Sequence, residues 1–334
     1  MTETAVEASQ GSPAAPRQRR EWPTLELLAF ALVAAGLLQP RLAGLFDSPA
    51  LQTWATIFVS ISIQALPFLV LGVTISGLIA AFVPPSFFAR VLPNRPVLAV
   101  PAAGLAGVVL PGCECGSVPI AGRLVARGVA PAAAFAFLLS APAINPVVLV
   151  ATAVAFPGRP EVVGARFLAS LVTAVLVGWL WVAFGKAPWI TKRAIEADPD
   201  ASRWEIFRAS AGHDFLHAGG YLVIGGITAA TLNVTIPESV LDSLAGNGVV
   251  AVLTLSVLAV VLAICSEADA FVAASLSNFS LTARLAFMTV GPMVDVKLIA
   301  LQVGTFGKAF ALRFAPVTFV VAVLTSVAVG SWLL

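Results

Sequence analysis

Two apolar stretches, Ala50 to Pro84 and Val162 to Gly185, each exceed the roughly 20 residues with which a helix spans the hydrocarbon core of a bilayer. A backbone at that depth finds no water, so its amides and carbonyls must satisfy one another, and only helices and closed barrels do so. The ten-residue alternation of a transmembrane barrel is absent. The sequence therefore predicts an all-α polytopic membrane protein. Composition agrees: 59% of the 334 residues are apolar and 11% charged, against about 25% charged in a soluble domain. A net charge of +2 without a long basic run excludes nucleic acid as a partner and leaves membrane lipid as the first one.

Residues 1–21 are polar, carry Arg17, Arg19 and Arg20 near their end, and read as a disordered cytoplasmic tail. Residues 22–39 have the length of a signal peptide but lack a small-residue cleavage site and precede further spans, so they are expected to be an uncleaved first transmembrane helix. Long helices are expected from about Gln52 to Val83, Pro131 to Phe156 and Val162 to Gly185, with Pro142, Asn145 and Pro146 breaking the second one midway. Between the first two lie two short helices, Val97 to Leu110 and Ser117 to Arg127. At 1.5 Å per residue the longer of them reaches about 21 Å, too short to cross comfortably. Residues 186–203, with Lys192, Arg193, Glu196, Asp198 and Asp200, read as a cytoplasmic linker.

The second half repeats the first at a shift of 150 residues: Trp54 falls on Trp204, Cys115 on Cys265, Pro142 on Pro292, Asn145 on Asp295 and Phe156 on Phe306. Rare residues coincide and the breaks recur in order, which gives repeat 1 at 51–185 and repeat 2 at 204–334. Arginine and lysine set the orientation, because loops rich in them stay cytoplasmic. If each pair of short helices enters and leaves on one side, fourteen of these residues fall on the cytoplasmic side, and four, Arg41, Arg159, Arg166 and Arg284, fall outside. If the pair crosses as one broken helix, the split is nine against nine. The expectation is two inverted repeats, each with three crossing helices and a re-entrant helical hairpin, after one extra N-terminal helix. Many secondary transporters are built in this way.

The segment Pro111-Gly112-Cys113-Glu114-Cys115-Gly116 sets two thiols around a carboxyl between helix-breaking residues. A charge at membrane depth costs roughly 2.5 kcal/mol or more and normally faces a cavity on a transport pathway. All three cysteines of the chain, Cys113, Cys115 and Cys265, lie at the two expected hairpin tips. Thiols there suit soft ions or a small soft solute. A strained, reducible Cys113–Cys115 disulfide would instead mark a membrane thiol-disulfide oxidoreductase. Glu114, Glu267, Asp269 and Asp295 are placed at the midplane and Asp214 part way in, with Lys297 as the only basic residue at that depth and Asp295 as its expected partner. The expected substrate site is thus Cys113, Glu114, Cys115, Asn145, Cys265, Glu267, Asp269 and Asp295, with proton coupling at Glu114 and Glu267. His213 and His217, four apart on one helix face with Asp214 between them, have a spacing compatible with two metal ligands and are, with Cys113 and Cys115, the candidate metal ligands, but the plainer reading is a pair of buried polar residues. No Gly-x-x-x-x-Gly-Lys loop is present to cradle a nucleotide, and no cofactor is expected.

Pro-Gly-Cys-Glu-Cys-Gly-Ser-Val-Pro at 111–119, Leu-Leu-Ser-Ala-Pro-Ala-Ile-Asn-Pro-Val-Val at 138–148 and Ser-Glu-Ala-Asp-Ala-Phe at 266–271 resemble the bacterial permeases that include the ArsP-type organoarsenical efflux proteins. The resemblance covers nearly the whole chain after the tail. It implies a multi-pass inner-membrane efflux permease, with Cys113 and Cys115 matching the family's paired-cysteine motif, while the sequence leaves homo-oligomerisation open. The residue between the paired cysteines is small in the arsenical exporters and is Glu114 here, a departure that brings a divalent transition-metal cation into play as an alternative cargo.

The charge count yields a topological prediction. Single cysteines placed at 90–95 and at 123–127, in a background lacking the native three, should react with an impermeant reagent from the same, cytoplasmic side. Labelling of the two loops from opposite sides would sink the hairpin and the inversion together.

Overall fold

The computed structural model describes residues 48–93, 95–109, 113–185, 202–235 and 248–334. The expected tail at 1–21, the first helix at 22–39, Pro111, Gly112 and nearly all of the 186–203 linker lie outside them. The chain divides into two units, Met1–Gln52 and Thr53–Leu334, and the account below concerns the second.

Among the described residues the structure is all helical. The helices are α1 Pro49–Phe82, α2 Pro85–Val91, α3 Pro96–Ala106, α4 Glu114–Ala126, α5 Pro131–Ile144, α6 Pro146–Ala155 and α7 Pro160–Phe184, followed by α8 Arg203–Thr235, α9 Gly248–Leu262, α10 Asp269–Ser275, α11 Leu281–Val290, α12 Val296–Phe306 and α13 Lys308–Leu333. Among the described residues, five spans are long and apolar enough to cross a membrane: α1, the broken pair α5–α6, α7, α8 and α13. Prolines open α2, α3, α5, α6 and α7 at the first turn, where a missing N–H costs nothing and the fixed φ suits a helix.

The expected midway breaks are present, and they recur. Helices α5 and α11 begin at Pro131 and Leu281, and α6 and α12 at Pro146 and Val296, each pair offset by 150 residues. Asn145 caps α6 by accepting from Val148 N at 3.0 Å, and Asp295 caps α12 by accepting from Leu298 N at 2.6 Å. Each side chain takes over a donor that the broken ladder leaves open. Packing recurs as well: α3 and α4 lie on α5 as α9 and α10 lie on α11, and α5 and α6 lie on α7 as α11 and α12 lie on α13. The short helices α4 and α10 each cross to the opposite half, α4 to α12 and α10 to α6.

Helix α5 is buried on all sides from Ala132 to Ile144, the pattern of a helix surrounded by others. Outer helices carry exposed apolar stripes instead, such as Val59, Ile63, Leu66 and Val70 on α1. Lipid tails are as apolar as leucine, so helices in a bilayer associate through close packing rather than through the hydrophobic effect. Aromatic rings fill one such contact, with Phe135 of α5 meeting Phe310 and Phe314 of α13 at 4.7 and 5.3 Å and Trp181 of α7 at 4.9 Å. Glycines make another. A Cβ on Gly72 of α1 would run into the Gly116 Cα of α4, so the two backbones touch directly beside Cys115.

Gly72→Val should therefore force the helices apart at a cost of about 1–3 kcal/mol or more, read as a lower thermal midpoint of the detergent-solubilised protein. Gly164→Ala, where a Cβ meets nothing within 4 Å, should leave that midpoint in place.

Candidate functional site

The thiol and carboxyl motif sits at a helix start. Cys113 has extended backbone geometry at the N-cap of α4, and its carbonyl accepts the Gly116 and Ser117 N–H groups at 3.1 and 3.2 Å. Glu114 and Cys115 thereby occupy the first turn, and all three residues are fully buried. One sulfur each from Cys113 and Cys115 and one carboxylate oxygen of Glu114 lie within 4.8 Å of one another.

Cys265 reaches the same place from the other half. Helix α9 ends at Leu262, and the chain turns through Ala263, which adopts a φ of 49° that is uncommon for a residue with a side chain. The Cys265 carbonyl then accepts from Ala268 N and Asp269 N at 2.9 and 3.0 Å. This is the local geometry of Cys113, so the turns pair Cys265 with Cys113, two residues away from the Cys115 match given by a strict 150-residue shift. The Cys113 thiol lies close to those of both Cys115 and Cys265, and all three cysteines are free thiols.

Lys297, on the first turn of α12, points its ammonium into this cluster. Its Nζ donates to Glu114 Oε1 at 2.8 Å and stands 3.6 Å from Asp295 Oδ2, an ion pair beyond hydrogen-bond reach. The expected Asp295 partnership is real, but Glu114 is the closer partner, because α12 packs on α4 and carries Lys297 across to it.

A second buried pair contradicts the sequence reading. Arg166 was expected on the outer surface, with Lys297 the only cation at depth. Arg166 is instead fully buried, donating to Asp269 Oδ2 at 2.7 Å, to the Ser266 carbonyl at 3.2 Å and to Thr152 Oγ1 at 2.9 Å. The reason is the facing of α7, whose Arg166 side looks inward at the tip before α10. Nothing in an apolar helix with one arginine near its start distinguishes that from an arginine reaching back to the surface. A third pair, Arg123 Nη2 with Asp214 Oδ2 at 2.9 Å, is joined by Ser76, whose hydroxyl donates to the same oxygen at 2.7 Å.

Glu267 lies within electrostatic range of Glu114, Lys297 and Arg166, and Asp269 within range of Glu267 and Glu114. Among the described residues, four carboxyl groups thus share one region with two cations. Each keeps one buried oxygen with no hydrogen-bond partner: Glu114 Oε2, Glu267 Oε1, Asp269 Oδ1 and Asp295 Oδ2. The structure brings Cys113, Glu114, Cys115, Cys265, Glu267, Asp269 and Asp295 together. Asn145 is fully buried, but its amide bonds to Ala141 O and Val148 N within the α5–α6 break. His213 and His217 stand outside the three-donor cluster. They are not the buried pair expected from the sequence, since His213 is exposed and His217 half-buried; they stack on each other along α8 at 5.8 Å, with His217 against Tyr221 at 5.2 Å.

The sequence profile of the ArsP_1 family, described as a predicted permease, matches residues 50–331. The chain belongs to this permease family. UPF0718 protein YcgR of Bacillus subtilis is 37% identical over 276 residues, covering 80% of this chain and 93% of that protein. A Streptococcus mutans protein, named provisionally as a subunit of a two-component membrane permease complex, is 34% identical over 294 residues, covering 85% and 96%. No solved structure matches. The permease is accordingly a multi-pass membrane protein of a transporter family, and its polar cluster is the one candidate site that unites all its cysteines.

Breaking the buried Arg166–Asp269 pair by Asp269→Asn or Arg166→Gln should cost about 3–5 kcal/mol, because one charge is left alone in a place without water. Replacing both by Leu and Met should cost less than either single change. Denaturant unfolding in mixed micelles gives the cycle, and simple additivity of the two single costs would show that the pair is not coupled.

Proposed function

We propose that this permease is a secondary-type efflux carrier for a soft, thiophilic solute, most specifically a trivalent organoarsenical, taken up by Cys113 and Cys115 at the midplane of a bacterial inner membrane. The observation that carries this reading is the convergence of three thiols and four carboxyls, from separate segments of both halves, into one buried cluster. Soft thiolates select soft centres. A monosubstituted trivalent arsenical condenses with two thiols, forming two As–S bonds and releasing two waters, and needs no redox partner. The architecture proposed for it is two inverted repeats, 51–185 and 204–334, each with a re-entrant hairpin, with the N-terminus and the 186–203 linker cytoplasmic. The recurring packing order and the recurring caps at Asn145 and Asp295 support it.

Proton exchange at Glu114 and Glu267 is the proposed drive. Four carboxyls facing two cations leave two negative charges to be balanced by protons or by a bound cation, since an uncompensated buried charge is costly. A second reading, a divalent transition-metal cation as cargo, draws on the three donors within 4.8 Å. The Streptococcus mutans relative's name, as a subunit of a two-component permease complex, raises a partner subunit as an alternative energy source.

The test is a toxicity panel with matched proteoliposome flux. Cys113→Ser and Cys115→Ser should abolish protection against the organoarsenical while the protein stays in the membrane, and Glu114→Gln and Glu267→Gln should keep binding but lose the dependence of flux on an imposed pH gradient. Normal protection by both serine variants would make the thiols packing residues, and protection against metals alone would favour the second reading. Unchanged flux with every ion gradient collapsed would exclude proton coupling.

A further inference from the structure

The Glu114 carboxylate is wanted twice. It closes the three-donor set with the Cys113 and Cys115 sulfurs, all within 4.8 Å of one another, and its Oε1 accepts from Lys297 Nζ at 2.8 Å. Among the described residues, three ion pairs join the first half of the chain to the second, and this is the one that reaches the donor set. Arg166 and Arg123 pair with Asp269 and Asp214, which lie outside it. The Lys297 ammonium is also within electrostatic range of the Cys115 and Cys265 thiols. Lys297 is fully buried, a setting in which charges are little screened.

The lysine is held from behind. Its backbone sits against α8 at Gly225, where a Cβ would come within 2.7 Å of the Lys297 Cα, and Asp295 Oδ2 stands 3.6 Å from Nζ on the lysine's own side. A cation entering the donor set would therefore meet an ammonium already seated on the carboxylate it needs. It would also have to displace the protons of both thiols, since the thiolate is the metal ligand. A monosubstituted trivalent arsenical of the type RAs(OH)2 is neutral. It forms two As–S bonds, carries off the two thiol protons in two waters, and needs neither the carboxylate nor a change of charge.

We propose that Lys297 is the specificity-determining residue of this site: by occupying Glu114 it shuts divalent cations out of the Cys113, Glu114 and Cys115 donors and leaves the thiols to neutral thiophilic solutes. A charge set against the wrong ligand is one of the ways a site discriminates. This role rests on the thiol site proposed above, and it favours the neutral cargo over the cationic one.

The probes are Cd(II), titrated against a competing chelator, and phenylarsine oxide, a monosubstituted trivalent arsenical, each added separately to the protein in detergent micelles. Lys297→Met, which keeps the stem and removes the charge, should raise Cd(II) affinity at least tenfold and leave phenylarsine oxide affinity within threefold. Adding Glu114→Gln to Lys297→Met should cancel the gain. Arg123→Gln, which removes a cation from a pair outside the donor set, should shift neither affinity. An unchanged Cd(II) affinity in Lys297→Met would overturn the proposal. So would a gain that survives Glu114→Gln, which places the cation elsewhere, or an equal gain in Arg123→Gln, which signals general loosening. If Lys297→Met does not fold, the unmodified protein and Glu114→Gln, which leaves Lys297 with Asp295, are compared instead. Their Cd(II) affinities should agree within threefold, whereas a tenfold loss in Glu114→Gln would mean that Lys297 yields the carboxylate and would overturn its role. Failure of phenylarsine oxide to bind through Cys113 and Cys115, with the Cd(II) results as expected, would overturn the cargo and leave the role of Lys297 standing, and the converse result would do the reverse.

Discussion

A lysine ammonium and a glutamate carboxylate, 2.8 Å apart and both shut off from water, hold the centre of this permease together. Neither charge could stay there alone, because an unpaired buried charge costs several kcal/mol even after the protein relaxes around it. Glu114 lies on a short helix of the first half and Lys297 on a short helix of the second. Desolvation thus makes the docking of the halves a condition for burying either residue. Arg166 with Asp269 repeats the arrangement on another pair of elements, and Thr152 and the Ser266 carbonyl take up further guanidinium donors.

Helix breaks make such a centre physically admissible. A continuous helix offers no free polar backbone to its surroundings, whereas an interrupted one exposes amides and carbonyls that need partners. Asn145 and Asp295 supply those partners at equivalent breaks with the same bond to the third residue on. They differ in charge. The aspartate adds a second anion beside Lys297 and the asparagine does not, so two halves of like architecture acquire unlike electrostatics.

On the proposed transport reading, the unlike halves divide the work. The thiols receive a soft centre, while the oxygens of Glu114, Glu267, Asp269 and Asp295 that accept no hydrogen bond hold charge to be traded against it. Among the described residues, the ion pairs that join the first half of the chain to the second differ in burial, Arg166–Asp269 and Glu114–Lys297 being sealed and Arg123–Asp214 partly exposed. Rocking of two halves about a fixed midplane site is how inverted-repeat carriers alternate access.

Period, length and punctuation were readable from the residues alone. Apolar runs longer than a bilayer is thick dictated spanning helices, prolines marked where they start and break, and the recurrence of Pro142 and Asn145 as Pro292 and Asp295 brought distant cysteines to one level. These are properties of chain segments, which local chemistry settles. The partners were not readable. Whether Arg166 faces lipid, loop or core depends on the rotation of α7 about its axis, and its partner is 103 residues away. Lys297 meets Glu114 across 183 residues, nearer than the Asp295 two positions from it. Only the packing of α12 against α4 and α8, down to the Gly225 surface that admits the Lys297 backbone, decided that contact. A side chain's depth and neighbours are set by how helices dock, and no single helix carries that information.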